Sequence, residues 1–201
     1  MTQKLNNPHN GSSTITHEEI STLPLKTFKG PIAVINEKKL LPTIFEEIET
    51  HEVVGFDTET RPSFKKGQVY KVALLQIAIP DKVFLIRLQQ TGITPEVIRF
   101  LEEESILKTG VGVRDDIMAI HRIKKFKAGG FVDLAAMARE AGLQVESVKK
   151  LTGLLLGFRI SKSSQTSNWE ADKLTKKQIE YAATDAWVCL ELYRKLTAMT
   201  N

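Results

Sequence analysis

Three short apolar runs, Val53–Phe56, Lys71–Ile79 and Val83–Arg87, follow one another with no helical pattern between them. This constrains the fold most, because parallel neighbours need a crossover of about a dozen residues or more, usually a helix. The first connection is a loop holding Arg61-Pro62-Ser63 and Lys65-Lys66-Gly67, and the second is a Pro80-Asp81 turn. The three strands are therefore expected to pair antiparallel. Downstream the pattern changes. Helical stretches are predicted over 94–104, 115–123, 133–141, 147–156 and 175–196, with short strands at 107–111 and 131–132. Strands reached across helices are expected to run parallel. Upstream, Ile32–Ile35 reads as a strand, and Asn36 as the cap of a helix to about His51 with Pro42 early in it, where a missing N–H is tolerated. The class that follows is α/β: a mixed sheet, three antiparallel strands then parallel ones, flanked by helices on both faces.

A chain of 201 residues, 42% hydrophobic and 26% charged, suits one globular domain and excludes a wholly disordered or collagen-like polymer. Its most apolar stretch, Leu154-Leu155-Leu156, lies between Gly153 and Gly157, far short of the roughly 18 residues a membrane span needs. Met1–Asn10 is polar and lacks the apolar segment of a secretory leader. The single cysteine, Cys189, has no partner for an internal disulfide or a zinc site. A soluble, cytoplasmic protein is expected. Residues 1–30 read as a flexible tail and linker with a short helix near His17–Ser21, ahead of a domain over 31–198. The net charge is +4, and 14 Lys and Arg against 7 Asp and Glu fall between Lys108 and Lys177. Such a band suits a polyanion, and it equally describes solvated helix faces.

Carboxylates recur at spacings that suit chemistry. In Asp57-Thr58-Glu59-Thr60, at the end of an apolar strand, alternation points Asp57 and Glu59 to one face and Thr58 to the other. Paired carboxylates repel unless a cation lies between them, and hard divalent ions take oxygen ligands. A polar strand end facing solvent would read the same. In Gly110-Val111-Gly112-Val113-Arg114-Asp115-Asp116 a strand turns into a helix; Asp115 stands where a cap belongs, leaving Asp116 free to face the sheet end. Tyr181 and Asp185 stand four residues apart in the last helix and share a face, with slim Ala182 and Ala183 between them. Together these give four acids and a phenol from three distant segments. Two cations about 4 Å apart, held by shared carboxylates, activate water for in-line displacement at phosphorus. A phenol of ordinary pKa near 10 is better suited to orienting that water than to deprotonating it.

In this order and at these spacings the set resembles the DEDD 3′–5′ exonucleases, in the tyrosine-bearing branch that includes ribonuclease D and the Werner-type exonuclease domains. The likeness covers roughly Ile32–Leu196. Asp57 and Glu59 match the first motif, Tyr181 and Asp185 the third. Gly110-Val111-Gly112-Val113 aligns with a Werner-type segment and favours Asp116 over Asp115 for the second. Lys71–Gln76 is similar to the family's second strand, and Ser167-Asn168-Trp169 to the segment before the third motif. The resemblance implies a ribonuclease H-like fold and catalytic roles for Asp57, Glu59, Asp116, Tyr181 and Asp185. It also implies two Mg²⁺ or Mn²⁺ ions on the four acids, and release of nucleoside 5′-monophosphates from a 3′ end.

A single-stranded or 3′-recessed nucleic acid, DNA ahead of RNA, is the expected partner. No membrane contact is expected, and a protein partner is expected to supply specificity to a domain standing alone. Substrate contacts are expected from Thr58, from Phe64 with Lys65 and Lys66 in the loop after the first motif, and from Lys162, Gln165 and Ser167 before the third. His121, Trp169 and Trp187 read as scaffold or core residues. The alternatives are a ribonuclease D-like exoribonuclease and a catalytically silent nucleic-acid-binding module. An aspartyl-phosphate phosphatase fits less well, since it wants Asp where Glu59 stands and leaves Tyr181 and Asp185 without a role.

Overall fold

A computed structural model describes residues 12–65 and 67–200. Six strands, β1 (Ile32–Ile35), β2 (Val53–Thr60), β3 (Val72–Ile79), β4 (Lys82–Arg87), β5 (Leu107–Gly110) and β6 (Phe131–Asp133), form one sheet in the order β1-β4-β3-β2-β5-β6. The expected directions hold. β2, β3 and β4 pair antiparallel, while β5 lies parallel to β2 and β6 parallel to β5. β1 joins the far edge parallel to β4. β3 is buried along its whole length, as its apolar sequence demands of a strand covered on both faces.

Eight α-helices surround the sheet among the described residues: α1 (His17–Thr22), α2 (Leu41–Ile48), α3 (Leu88–Thr91), α4 (Pro95–Glu102), α5 (Val113–His121), α6 (Leu134–Glu140), α7 (Val148–Leu151) and α8 (Lys176–Thr200). On one face Phe45 of α2 and Phe100 of α4 meet at 5.4 Å over Phe56 and Phe84 of the sheet. On the other, Ala182, Ala183 and Ala186 of α8 lie on Leu74 and Leu85. Among the described residues no helix is long and apolar enough to cross a membrane.

Three local expectations change. Asn36 does not cap a helix: a 3-10 turn over Lys38–Leu40 leads into α2, which carries Pro42 in its first turn, where its missing N–H costs nothing. The stretch from Ser147 starts as α7 and then widens into a π-helical turn over Thr152–Leu156, closed by Gly157 at φ 70°.

The third concerns the tail. Its first eleven residues, and the loop residue Lys66, lie outside the described residues. Residues 12–30, expected as tail and linker, are instead part of the packed body. A capping box between Thr16 and Glu19 starts α1, and Ile15, Ile20 and Phe28 are buried. Their spacing lets Ile15 and Ile20 seal the core between α6, the π turn and α8. The backbone then pairs with Arg159: the Lys26 N–H donates to its carbonyl at 3.0 Å, and its N–H to the Pro24 carbonyl at 2.9 Å.

Candidate active site

The site forms where β2 passes beneath α8. Gly55, Asp57 and Glu59 share the face of β2 toward that helix, by the two-residue period of a strand. A Cβ on Gly55 would stand 1.9 Å from the Ala186 carbonyl oxygen, so only glycine lets the helix lie this close. The small side chains of Ala182, Ala183 and Ala186 let the same helix settle on Leu74 of β3 and Leu85 of β4. The result carries Asp185 to the acids of β2: ligand oxygens of Asp57, Glu59 and Asp185 all lie within 4.8 Å of one another. Glu59 and Asp185 are 9% and 8% exposed.

Burial raises every acid there, and repulsion adds to it at Asp57 and Glu59. Asp57 is held well above the carboxylate range by burial, then by Asp116 and Asp185. Glu59 is pushed up to about 10 by burial and by Asp57, and Asp185 to about 7 by burial against a hydrogen bond from Tyr181 and the charge of Lys162. The Tyr181 phenol is itself raised, by burial and then by Asp185, so it stays protonated. Among the described residues no Lys, Arg or His comes within 4.0 Å of these carboxylates as an ion pair; the eight ion pairs all lie elsewhere. Carboxyl groups crowded together with no ion pair of their own among the described residues suit a hard divalent cation, which favours their ionised form. An octahedral Mg²⁺ sets its ligand oxygens about 3–4 Å apart, so the three need only small rotations.

Asp116 stands beside this group, and its charge raises Asp57 and Glu59. Gly112, at φ 73°, starts α5 without a side-chain cap. Asp115 is therefore not the cap its position suggested: it lies exposed in the first turn, its N–H donating to the Gly112 carbonyl at 2.9 Å. One residue on, the Asp116 carboxylate accepts from the Thr58 hydroxyl. Burial raises Asp116 to about 6 despite that bond. Three of the four expected ligands thus converge, and the fourth, hydrogen-bonded to Thr58, stands close enough that its charge raises Asp57 more than that of Asp185 does.

A cleft of about 320 Å³ opens over the acids, with Tyr181, Thr58, Lys162 and Gln165 in its walls. Phe64 is 87% exposed at the tip of the loop after β2, and neither it nor Lys65 lines the cleft. Ser167 does not line it either; its N–H closes a turn onto the Ser164 carbonyl at 3.0 Å. Ser147 and Lys149 at the start of α7, and Ser161, also line it. Sequence reading had missed these: Lys149 figured only in the basic band, and Ser147 becomes recognisable as a cap only once its hydroxyl accepts from the Lys150 N–H at 3.3 Å. Three scaffold expectations agree with the structure. The Nε2 of His121 bonds the Phe126 carbonyl at 2.8 Å, Trp169 is fully buried, and Trp187 stacks on Phe158 at 5.7 Å.

Known proteins resemble this chain in sequence and fold. A family model described as 3′–5′ exonuclease matches residues 32–201. The bifunctional 3′–5′ exonuclease/ATP-dependent helicase WRN of Mus musculus is 34% identical over 185 residues, which cover 87% of this chain and 13% of that protein. The chain thus spans a small part of that relative. The exonuclease domain of Aedes aegypti Nibbler superposes with a TM-score of 0.76 at 23% identity, over 87% of this chain and 92% of that one. Escherichia coli RNase D, an exoribonuclease involved in structured RNA processing, does so with 0.77 at 21% identity, over 84% and 45%. The chain belongs to the 3′–5′ exonuclease family, and its sheet and helices have the ribonuclease H-like arrangement of these enzymes.

Proposed function

We propose that the protein hydrolyses nucleic-acid strands from the 3′ end with two divalent cations, releasing nucleoside 5′-monophosphates, and that DNA is the preferred strand. The observation that carries this reading is the convergence of Asp57, Glu59 and Asp185 oxygens within 4.8 Å at the floor of an open cleft. Asp57, Glu59 and Asp185 would hold the ions, and Asp116 would join them by releasing Thr58. Bound there, the cations supply the positive charge that stabilises the attacking and the leaving oxygen.

The remaining roles fall to the chain itself. A water oxygen bonds to phosphorus as the P–O3′ bond breaks, and the departing 3′ oxygen takes up a proton. Tyr181, held protonated, does not act as the base; it donates to Asp185 and orients an oxygen beside it. Lys162 and Gln165 face the cleft and suit the phosphate of the terminal nucleotide. Contacts from Phe64, Lys65 or Ser167 would need a strand that extends past the cleft. DNA is proposed because Gly110–Val113 and Ser167–Trp169 follow the Werner-type pattern. The catalytic unit is taken as residues 31–198 with 12–30 packed onto it.

Matched DNA and RNA strands labelled at the 5′ end, blunt or recessed, test the reading with Mg²⁺ and with Mn²⁺. Stepwise shortening from the 3′ end, faster on DNA, is expected. Asp57→Asn and Asp185→Asn should each lower it by at least about a thousandfold with the fold retained by circular dichroism. Undiminished trimming by either variant would refute the site. Binding without cleavage by the parent protein would leave only a silent binding module, and faster RNA trimming would reverse the strand preference.

A further inference from the structure

A string of cavities leads out of the cleft. The cleft shares its Ser161 and Tyr181 walls with a cavity of about 180 Å³, and that one shares Leu25 and Thr27 with an outer cavity of about 380 Å³. The outer cavity is bounded by Phe28 and Trp187 and carries Lys26 and Lys29, with no acidic side chain in its lining. The inner one carries Lys177, and its only acid, Glu180, faces Lys176 at 3.9 Å.

These walls are held in place. Trp187 lies flat on Phe158 at 5.7 Å with 14° between the rings, and Phe28 leans on it at 5.9 Å. The Phe28 N–H donates to the Thr184 hydroxyl at 3.0 Å, and Leu25 bridges to Arg159 as a parallel β-pair. Yet Leu25 is 51% exposed and Trp187 only half-buried, so apolar surface is left facing water between lysines. A rigid aromatic flanked by cations, continuous with a cleft for a strand end, has the chemistry of a single-strand track: bases stack on the ring and phosphates meet ammonium groups.

We propose that this groove carries the strand upstream of the scissile phosphodiester, with Leu25 and Trp187 seating a nucleobase and Lys26 and Lys29 contacting its phosphates. The assignment rests on the exonuclease reading and adds to it a binding subsite outside the catalytic cleft. The segment ahead of β1 thereby gains a function, since residues 25–29 form one wall of the substrate path. Two lysines and no acid in the lining of the outer cavity favour a polyanion over an apolar peptide or a second copy of the chain.

The Asp57→Asn protein, which leaves the strand uncut, is titrated with a labelled single strand of about twelve nucleotides over a range of salt. Adding Lys26→Gln and Lys29→Gln together is expected to weaken binding about tenfold and to lower the slope of log affinity against log salt by about 1.4, roughly 0.7 per phosphate contact. Trp187→Ala is expected to weaken binding about tenfold with the slope kept; exposed Leu25→Ala, which spares the fold, should weaken it in the same sense. In the active protein, the ratio of kcat/KM for the long strand to that for a dinucleotide should fall about tenfold with the two lysine changes. Full affinity, slope and ratio in these variants would overturn the groove, and so would a dimer that the lysine changes dissolve. Failure of the parent protein to cut either substrate would sink the nuclease reading, while the titration would still report on the groove.

Discussion

Each acid under the cleft is held in a state it would not choose alone. Glu59 at about 10 and Asp185 at about 7 bind protons far more tightly than free carboxyls near 4, because burial penalises ionisation of both and neighbouring acids add to it at Glu59. A divalent cation reverses that balance by supplying the missing charge. Tyr181 differs, because its phenol has no charge to neutralise and touches the site through one hydrogen bond to Asp185. Tyr181→Phe is therefore expected to lower kcat about 10- to 100-fold while the concentration of Mg²⁺ giving half-maximal rate changes little. A large rise in that concentration would show the phenol to be needed for holding the metal.

At the scale of elements, the decisive contact is helix α8 on strand β2. The approach of Gly55 to the Ala186 backbone sets the spacing, and the spacing sets the distance between Asp185 and Asp57. Gly55→Ala adds one methyl group where 1.9 Å is available, so strand and helix must separate. Overpacking of this kind costs about 1–3 kcal/mol. The variant should melt several degrees lower and lose more than about a hundredfold in trimming, although every carboxylate is still present. Parent-like kinetics in a folded Gly55→Ala protein would show that the acids do not depend on this contact.

For the molecule as a whole, the shared cup couples folding to pH. Raised acids take up protons on folding, so the stability they contribute is fully present below their unfolded values near 4 and is lost as pH climbs through their folded values. Asp116 at about 6 and Asp185 at about 7 place the steep part of that loss between about pH 4 and pH 7, and Glu59 at about 10 extends it. In chelator the melting temperature should therefore fall from pH 5 to pH 8, and excess Mg²⁺ should restore it most at the upper end. Asp57→Asn should raise the metal-free melting temperature at pH 8, since it removes a carboxyl whose ionisation the fold penalises. Thermal melts at several pH values check both. A metal-free protein that gains stability across this window would contradict the crowded cup.

Much of this was legible in the residues alone. Strand directions followed from connection length, since a two-residue turn cannot return a chain parallel. The convergence of Asp57, Glu59 and Asp185 followed from the strand period, the helix period and a family pattern spread over most of the chain. Distance through space was not legible. Nothing local to Thr58 or Asp116 says that one will hold the other, and nothing in Ser147, Lys149 and Ser161 says that they line a cleft with Asp185. Leu23–Phe28 looked like a linker because its apolar residues have no helical or strand period; the segment is held in place because Arg159 and α8 offer it hydrogen-bond and ring partners more than a hundred residues away. Periodicity reports how a residue relates to its neighbours in the chain, whereas burial and charge depend on what the folded chain brings against it.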